Sequence, residues 1–276
     1  MANVYEIVTN KIIEKLESGN IPWRKPWQNI NAVNWVTQKP YRGINTLLLD
    51  PGEYATFKQI RQAGGKVKKG AKGHIVVFWT WIEKEELKTG KCEKIPFLKY
   101  YTVFEINTQV EGLNSKREII EFKHDPITQG EEIIINFVGK PEITFKPDGA
   151  YYKPIDDIVN MPPMKNFNNI SEYYSTFFHE LVHSTGHQNR LNRKEIIELN
   201  AFGSEDYSKE ELVAELGASM LCNIAKIDND TIENSVAYIQ SWLKVLKDDK
   251  TLIIKAAGKA QKAVDHILNI KIEEPI

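Results

Sequence analysis

Phe177-Phe178-His179-Glu180-Leu181-Val182-His183 sets two histidines four residues apart with a glutamate directly after the first. On an α-helix, residues i and i+4 lie one above the other, so both imidazoles can aim a nitrogen at a single divalent metal ion. Glu180 projects ~100° round from His179, close to that ion without ligating it. From there its carboxylate can take a proton from a water molecule. H-E-x-x-H therefore supplies two ligands and a general base from one helical turn, the arrangement of metal-assisted peptide hydrolysis. Phe177, Phe178, Leu181 and Val182 would bury the remaining surface of such a helix. Zinc is the metal that this donor set favours, with manganese the alternative.

A catalytic zinc needs a third protein ligand and one open position. Ser208–Ala218 reads as a second helix, with Ser208 as N-cap and Glu211 at its N3 position in a capping box. Glu211 and Glu215 again share one face, beside Ala214 and Ala218, whose small side chains permit close helix approach. His187 competes for the third place, but a continuous helix would carry it one more turn along the axis, ~6 Å from His183. In the other reading His187 caps the helix or lines the pocket. A closed structural zinc would call for four protein ligands, usually rich in cysteine, and Cys92 and Cys222 both lie far from the motif in sequence.

Working outward, the 276 residues suffice for one large or two ordinary domains, and the composition is that of a globular protein, 42% hydrophobic and 26% charged. No apolar run approaches the roughly 20 residues of a membrane span, and the N-terminus lacks a secretory pattern. Two distant cysteines argue against a disulfide framework, so no membrane partner and a cytoplasmic setting are expected. The net charge of −1 hides an asymmetry: residues 1–110 hold 17 Lys+Arg against 10 Asp+Glu, a net of +7, and the remainder is −8.

Five of the six tryptophans fall in that basic part: Trp23, Trp27, Trp35, Trp79 and Trp81. Interleaved with them are Arg24, Lys25, Lys39, Tyr41, Arg42, Lys58 and Arg61, then Lys66, Lys68, Lys69 and Lys72. Cations that track phosphates, together with rings that stack on unpaired bases, are how single-stranded nucleic acid is bound with little sequence preference. The competing reading makes Trp79 and Trp81 core residues and the lysine run a solvated turn.

Periodicity predicts a helix over 4–18, a short helix from the Thr56 cap to Ala63, and strands at His74–Ile82 and Leu98–Ile106. Glu132–Val138 and Gly149–Asn160 also read as strands. Helices follow at roughly 171–187, 208–225, 231–248 and 251–269. The expected fold class is α+β in two domains. A small α+β domain occupies 1–112 and a polar linker 113–130. A mainly helical domain with a small sheet occupies 131–276.

These residues together resemble the ArdC antirestriction family over nearly the whole chain. The resemblance runs through Pro22-Trp23-x-x-Pro26-Trp27, Pro40–Asn45, Val67–Gly70, Met161-Pro162-Pro163, His179–Arg190 with Leu191 and Arg193, and Glu210–Leu216. It implies an N-terminal domain that binds single-stranded DNA, with Asn45 joining the contacts named above. It implies also a C-terminal zincin-like metallopeptidase domain and protection of incoming mobile-element DNA from host restriction. A protein substrate such as a component of the restriction system would be the second partner. The alternative is a DNA-shielding protein whose metal site is structural or catalytically silent. Glu211-x-x-Ala214-Glu215-x-x-Ala218 resembles the second helix of glutamate-type zincins, which implies Glu211 as third ligand and Glu215 holding His179 from behind, with the reverse assignment open. In zincins an edge strand pairs with the substrate backbone, and Tyr151–Asn160 is the candidate here, interrupted by Pro154.

Overall fold

Val8, Ile12 and Leu16 recur at helical spacing, and all three are buried on one side of helix α1 (Val4–Glu17). The computed structural model describes residues 3–18, 22, 32–85, 92–116, 126–147, 149–167, 169–197, 205–227 and 236–271. The chain divides into two units, Met1–Ile12 with Ile30–Ile120, and Ile13–Asn29 with Glu121–Ile276. The division falls inside α1, so that this helix contributes to both.

The first unit is built on β1 (Val33–Asn34), α2 (Asn45–Leu48), β2 (Glu53–Thr56) and α3 (Phe57–Gln62), then β3 (Lys66–Val67), β4 (His74–Glu85), β5 (Cys92–Glu105), α4 (Ile106–Gln109) and β6 (Val110–Glu111). Its main sheet has the order β1-β2-β5-β4, with β1 parallel to β2 and the other pairs antiparallel. β2 pairs with only three residues of β5, Val103 to Glu105, whereas β4 is paired along its full length with Cys92 to Val103 of β5. Beyond Val103 the sheet therefore narrows to a two-stranded ribbon. Two buried clusters hold the unit, one around Tyr41, Leu49, Tyr54, Val76 and Val103, the other around Trp35, Ala55, Ile60, Ile106 and Val110. Thr56 caps α3 as its position predicts, in a reciprocal capping box with Gln59.

The second unit contains α5 (Pro126–Asn136), β7 (Glu142–Thr144), β8 (Tyr151–Lys153), β9 (Ile158–Asn160), α6 (Ile170–Ser184), α7 (Lys194–Ile197), α8 (Glu205–Ala225), α9 (Val236–Asp248) and α10 (Leu252–Ile267). Helices α6, α8 and α10 pack on one another, and α5 adds to α8 and α10. The three-stranded sheet has the order β7-β9-β8, which leaves β8 at an edge, against α6. Among the described residues no helix is long and apolar enough to cross a membrane.

Two expectations need correction. Glu132–Val138 is not a strand: through Asn136 it is the last part of α5, which starts inside the stretch read as linker. Alternation would set Ile133 and Ile135 on one face, but Ile133, Ile134 and Phe137 are buried while Ile135 is 65% exposed. Tertiary burial at helical spacing overrides the β-branched run. Ser208 is not the N-cap of α8, because the helix already begins at Glu205.

Candidate metal centre

Asn169 caps α6 by accepting a hydrogen bond from the Glu172 amide, and the aromatic run Tyr173, Tyr174, Phe177 and Phe178 is buried. Each large apolar side chain so buried contributes about 2 kcal/mol, and the seam they make fixes the rotation of the helix. The other face then turns His179 and His183 toward α8. Helix α6 ends where the Ser184 and Thr185 hydroxyls bond back to the carbonyls of Leu181 and Val182.

Helix α8 comes close because it is lined with small residues. Ala214 and Ala218 are buried, as their spacing predicts. Between them Gly217 faces Val182 so tightly that a Cβ there would lie 2.7 Å from the valine Cγ2. That approach brings Glu211 to the histidines. His179 Nε2 and His183 Nε2 stand 3.0 Å apart, with Glu211 Oε2 3.4 Å from the first and Oε1 3.4 Å from the second. Donors around a tetrahedral zinc stand roughly 3.3–3.4 Å from one another. The separations are near that figure, each histidine facing a different oxygen of Glu211, and one ligand atom from each residue lies within 4.8 Å of the others; two imidazoles with one carboxylate are a donor set of catalytic zinc. The residues fit the ion. Among the described residues no fourth His, Cys, Asp or Glu joins the group; a catalytic zinc held by three protein ligands would take water or substrate as the fourth. Glu180 is buried in the same helical turn, 9% exposed.

Behind His183 stands a pair that the sequence reading did not assign. His183 Nδ1 lies 3.3 Å from Glu210 Oε1, and the Arg193 guanidinium forks onto both oxygens of that carboxylate, at 2.9 Å and 2.6 Å. Arg193 also donates to the Thr185 hydroxyl and to the carbonyl of Val182. A carboxylate at Nδ1 fixes the proton on that nitrogen and leaves the Nε2 lone pair for a metal. Burial lowers the His183 pKa, but hydrogen bonds to Glu210 and Glu211 and the charges of Glu210 and Glu180 outweigh it and raise it to about 10. Burial likewise works to raise Glu211, yet His179 and His183 hold it well below the usual carboxylate range. The pocket is built for a cation.

Among the described residues the polar contacts of His179 are with His183 and Glu211, and the carboxylate behind the histidine pair is that of Glu210, on His183. With Glu211 turned to the metal face, Glu210 is the glutamate turned toward Arg193. The available signal was an acidic pair followed by an apolar stretch, with an arginine just past the histidine helix. His187 stands apart from the ligand group, past the end of α6. It accepts from the Asn189 amide and lines a cavity of about 180 Å³ with Pro154, Ile155, Gln188, Ile196 and Ile197. Nearby, Arg190 donates to Asp157 with both terminal nitrogens and to the Ser184 carbonyl, which ties the end of α6 to the β8–β9 turn.

The residues expected to meet DNA separate into three groups. Trp23, Arg24, Lys25 and Trp27 lie outside the described residues. Lys39, Lys58, Lys66, Lys68, Lys69 and Lys72 are exposed, and Arg42 is half-buried; Lys68 Nζ donates to the Thr108 carbonyl. Tyr41 and Asn45 are structural. Tyr41 is 7% exposed, in edge-on contact with Tyr54. Asn45 accepts from the Val77 amide and donates to the Val77 carbonyl, both at 2.8 Å, and so covers the free edge of β4. Trp35 is buried, with its indole N–H donating to the Asn114 carbonyl. Trp79 is 55% exposed and not a core residue, and the Trp81 side chain lies outside the description.

Comparison with known proteins gives two family matches along the chain. Residues 2–104 match the N-terminal domain of the anti-restriction factor ArdC, and residues 131–259 match a zincin-like metallopeptidase domain. Two DNA primases TraC of Escherichia coli are 32% and 33% identical over 96% of this chain, which spans only 20% and 27% of their lengths. An uncharacterized protein of Sinorhizobium fredii, y4eC, is 31% identical, with 95% of this chain and 91% of that protein covered. Two crystal structures of the antirestriction protein ArdC from plasmid R388 are 36% identical, over 98% of each chain. The metal-free form superposes with a TM-score of 0.76 and the Mn(II)-bound form with 0.77. This chain belongs to the ArdC antirestriction family, with an ArdC N-terminal domain followed by a zincin-like metallopeptidase domain.

Proposed function

We propose that this protein binds single-stranded DNA without sequence preference and carries a zinc-dependent peptidase site, and that it protects incoming mobile-element DNA from host restriction. The observation that carries the peptidase reading is the convergence of His179, His183 and Glu211, whose ligand atoms lie within 4.8 Å of one another beside the buried Glu180. The same family is known with manganese bound, in the R388 protein, which makes manganese the second candidate metal.

Zinc held there would lower the pKa of a coordinated water towards about 7 and polarise a carbonyl group. The protein supplies the rest. Glu210 keeps the His183 ring in the ligating tautomer. Glu180 takes the proton of the attacking water and passes it to the leaving amine. The free edge of β8 pairs with an extended peptide, which aligns the scissile bond by main-chain hydrogen bonds; Pro154 ends the strand and limits that pairing to a few residues.

Glu180→Gln tests the assignment, because it keeps size and removes the base. The variant is expected to retain its metal and lose at least about a hundredfold in cleavage of a random peptide mixture. Cleavage at the wild-type rate would remove Glu180 from the mechanism. The same variant assayed for protection of single-stranded plasmid DNA entering a restricting host separates the two halves of the proposal. Full protection would place antirestriction in DNA binding alone. For that binding, affinity for an oligonucleotide should fall steeply with ionic strength.

A further inference from the structure

The β4–β5 ribbon carries aromatic rings that the core does not use. In the antiparallel register Val76 stands opposite Tyr101, Phe78 opposite Lys99 and Thr80 opposite Phe97, so these six side chains share one face. Val76 is buried in the core of the first unit, but Phe78, Tyr101 and Phe97 are 47%, 46% and 45% exposed. Phe97 and Tyr101 lie four residues apart on one strand, about 13 Å, with Lys99 between them and Phe78 across from it. Phe78 meets Tyr101 edge-on at 5.9 Å and is backed by the buried Tyr41 ring at 6.2 Å. The row is thus anchored at one end by the core and open to solvent along the rest.

Contiguous exposed rings of this kind mark an interaction surface. The occupant follows from the cation in the middle of the row. Lysine is depleted from the centre of protein–protein interfaces, whereas a single nucleic-acid strand needs rings for its bases and a cation for the phosphate between them. The unit that presents the row is also the basic part of the chain. We propose that single-stranded nucleic acid lies along this face, with bases stacked on Phe78, Phe97 and Tyr101 and a phosphate at Lys99. The inference rests on the DNA-binding reading above and places a stacking platform on the ribbon, apart from Trp23 and Trp27. In this arrangement Tyr41 supports Phe78 and touches no nucleotide.

The test uses the full-length protein and fluorescence anisotropy at low salt, with a labelled oligo-dT and an abasic oligomer of equal length as probes. Phe97→Ala with Tyr101→Ala should weaken oligo-dT binding by about tenfold or more for each ring lost, and should leave abasic binding near the wild-type level. Tyr101→Phe keeps the ring and should bind as wild type. Lys99→Gln should weaken both probes alike. Both alanine positions are half exposed, and circular dichroism checks that the double variant is folded. Wild-type affinity for oligo-dT in the double variant would overturn the platform and leave DNA binding elsewhere on the protein. Failure of the wild-type protein to bind either probe would remove the DNA reading and this inference with it. Loss of self-association in the double variant, with oligo-dT binding unchanged, would assign the face to a second copy of the chain.

Discussion

The two units carry their chemistry in opposite ways. In the second, the candidate residues sit on packed helices or, for Arg193, just before one, and are mostly buried, each held by a neighbour: Arg193 by Glu210, Glu210 by His183, and His183 beside Glu211. In the first, the candidate residues are exposed cations and half-exposed rings set on strands and turns. A metal centre needs donors within a few tenths of an ångström of their places, so it is built where packing leaves no freedom. A surface that takes a polyanion of any sequence needs only charge and flat rings at loose spacing. One substitution should therefore break the first kind of site outright and only weaken the second.

The largest effect is expected at Arg193. Its removal leaves Glu210, a carboxylate whose side chain is only 4% exposed, with no guanidinium to answer it. Arg193→Ala should cost about 3–5 kcal/mol of stability and reduce zinc affinity about 10–100-fold through the misplaced His183 ring. Denaturant unfolding with and without chelator, and zinc competition against a chromogenic chelator, read the two effects separately. Arg193→Lys keeps the charge but not the fork, and should fall between the two. Wild-type zinc affinity in Arg193→Ala would show that the pair only props the fold and does not reach the ligand.

How much of this was legible beforehand follows from sequence distance. His179, Glu180 and His183 could be read because helical geometry alone puts them together. Glu211 required a family resemblance, since nothing in the spacing of α8 ranks it above Glu215. Arg193 and Glu210 meet from 17 residues apart, one before α7 and the other within α8, and no periodicity reports such a pair. The ribbon platform was illegible for the same reason: Phe78 and Tyr101 share a face only through the register of β4 with β5. Tyr41 and Asn45 misled in the other direction. Their residue types suit DNA contact, yet Asn45 is spent on both backbone groups of Val77. Composition shows what a side chain could do, and burial decides what it does.

A middle-sized effect tests whether close helix approach is what delivers Glu211. Gly217→Ala would place a Cβ 2.7 Å from Val182 Cγ2 and 2.9 Å from Cγ1. A β-branched side chain cannot swing aside in a helix, so α8 must move. The expected cost is about 1–3 kcal/mol, with a measurable fall in zinc affinity because Glu211 moves with its helix. Adding Val182→Ala should restore part of both, and a double-mutant cycle over the two positions measures the coupling. Additive effects would mean that the glycine does not set the separation.

The smallest effect belongs to the first unit. Lys69 is exposed in the turn after β3, and Lys69→Gln should leave stability unchanged, because a solvated lysine carries no packing. If it meets a phosphate, the slope of log affinity against log salt for oligo-dT should fall by about 0.7, the share of one ion pair on a single strand. The abasic oligomer should show the same change, since a phosphate contact ignores the base. An unchanged slope would take Lys69 out of the binding face, and the same titration repeated at Lys58, Lys66 and Lys72 would trace where that face runs. Graded losses at several lysines, against collapse at Arg193, are what the contrast between a loose polyanion surface and a close-packed metal centre requires.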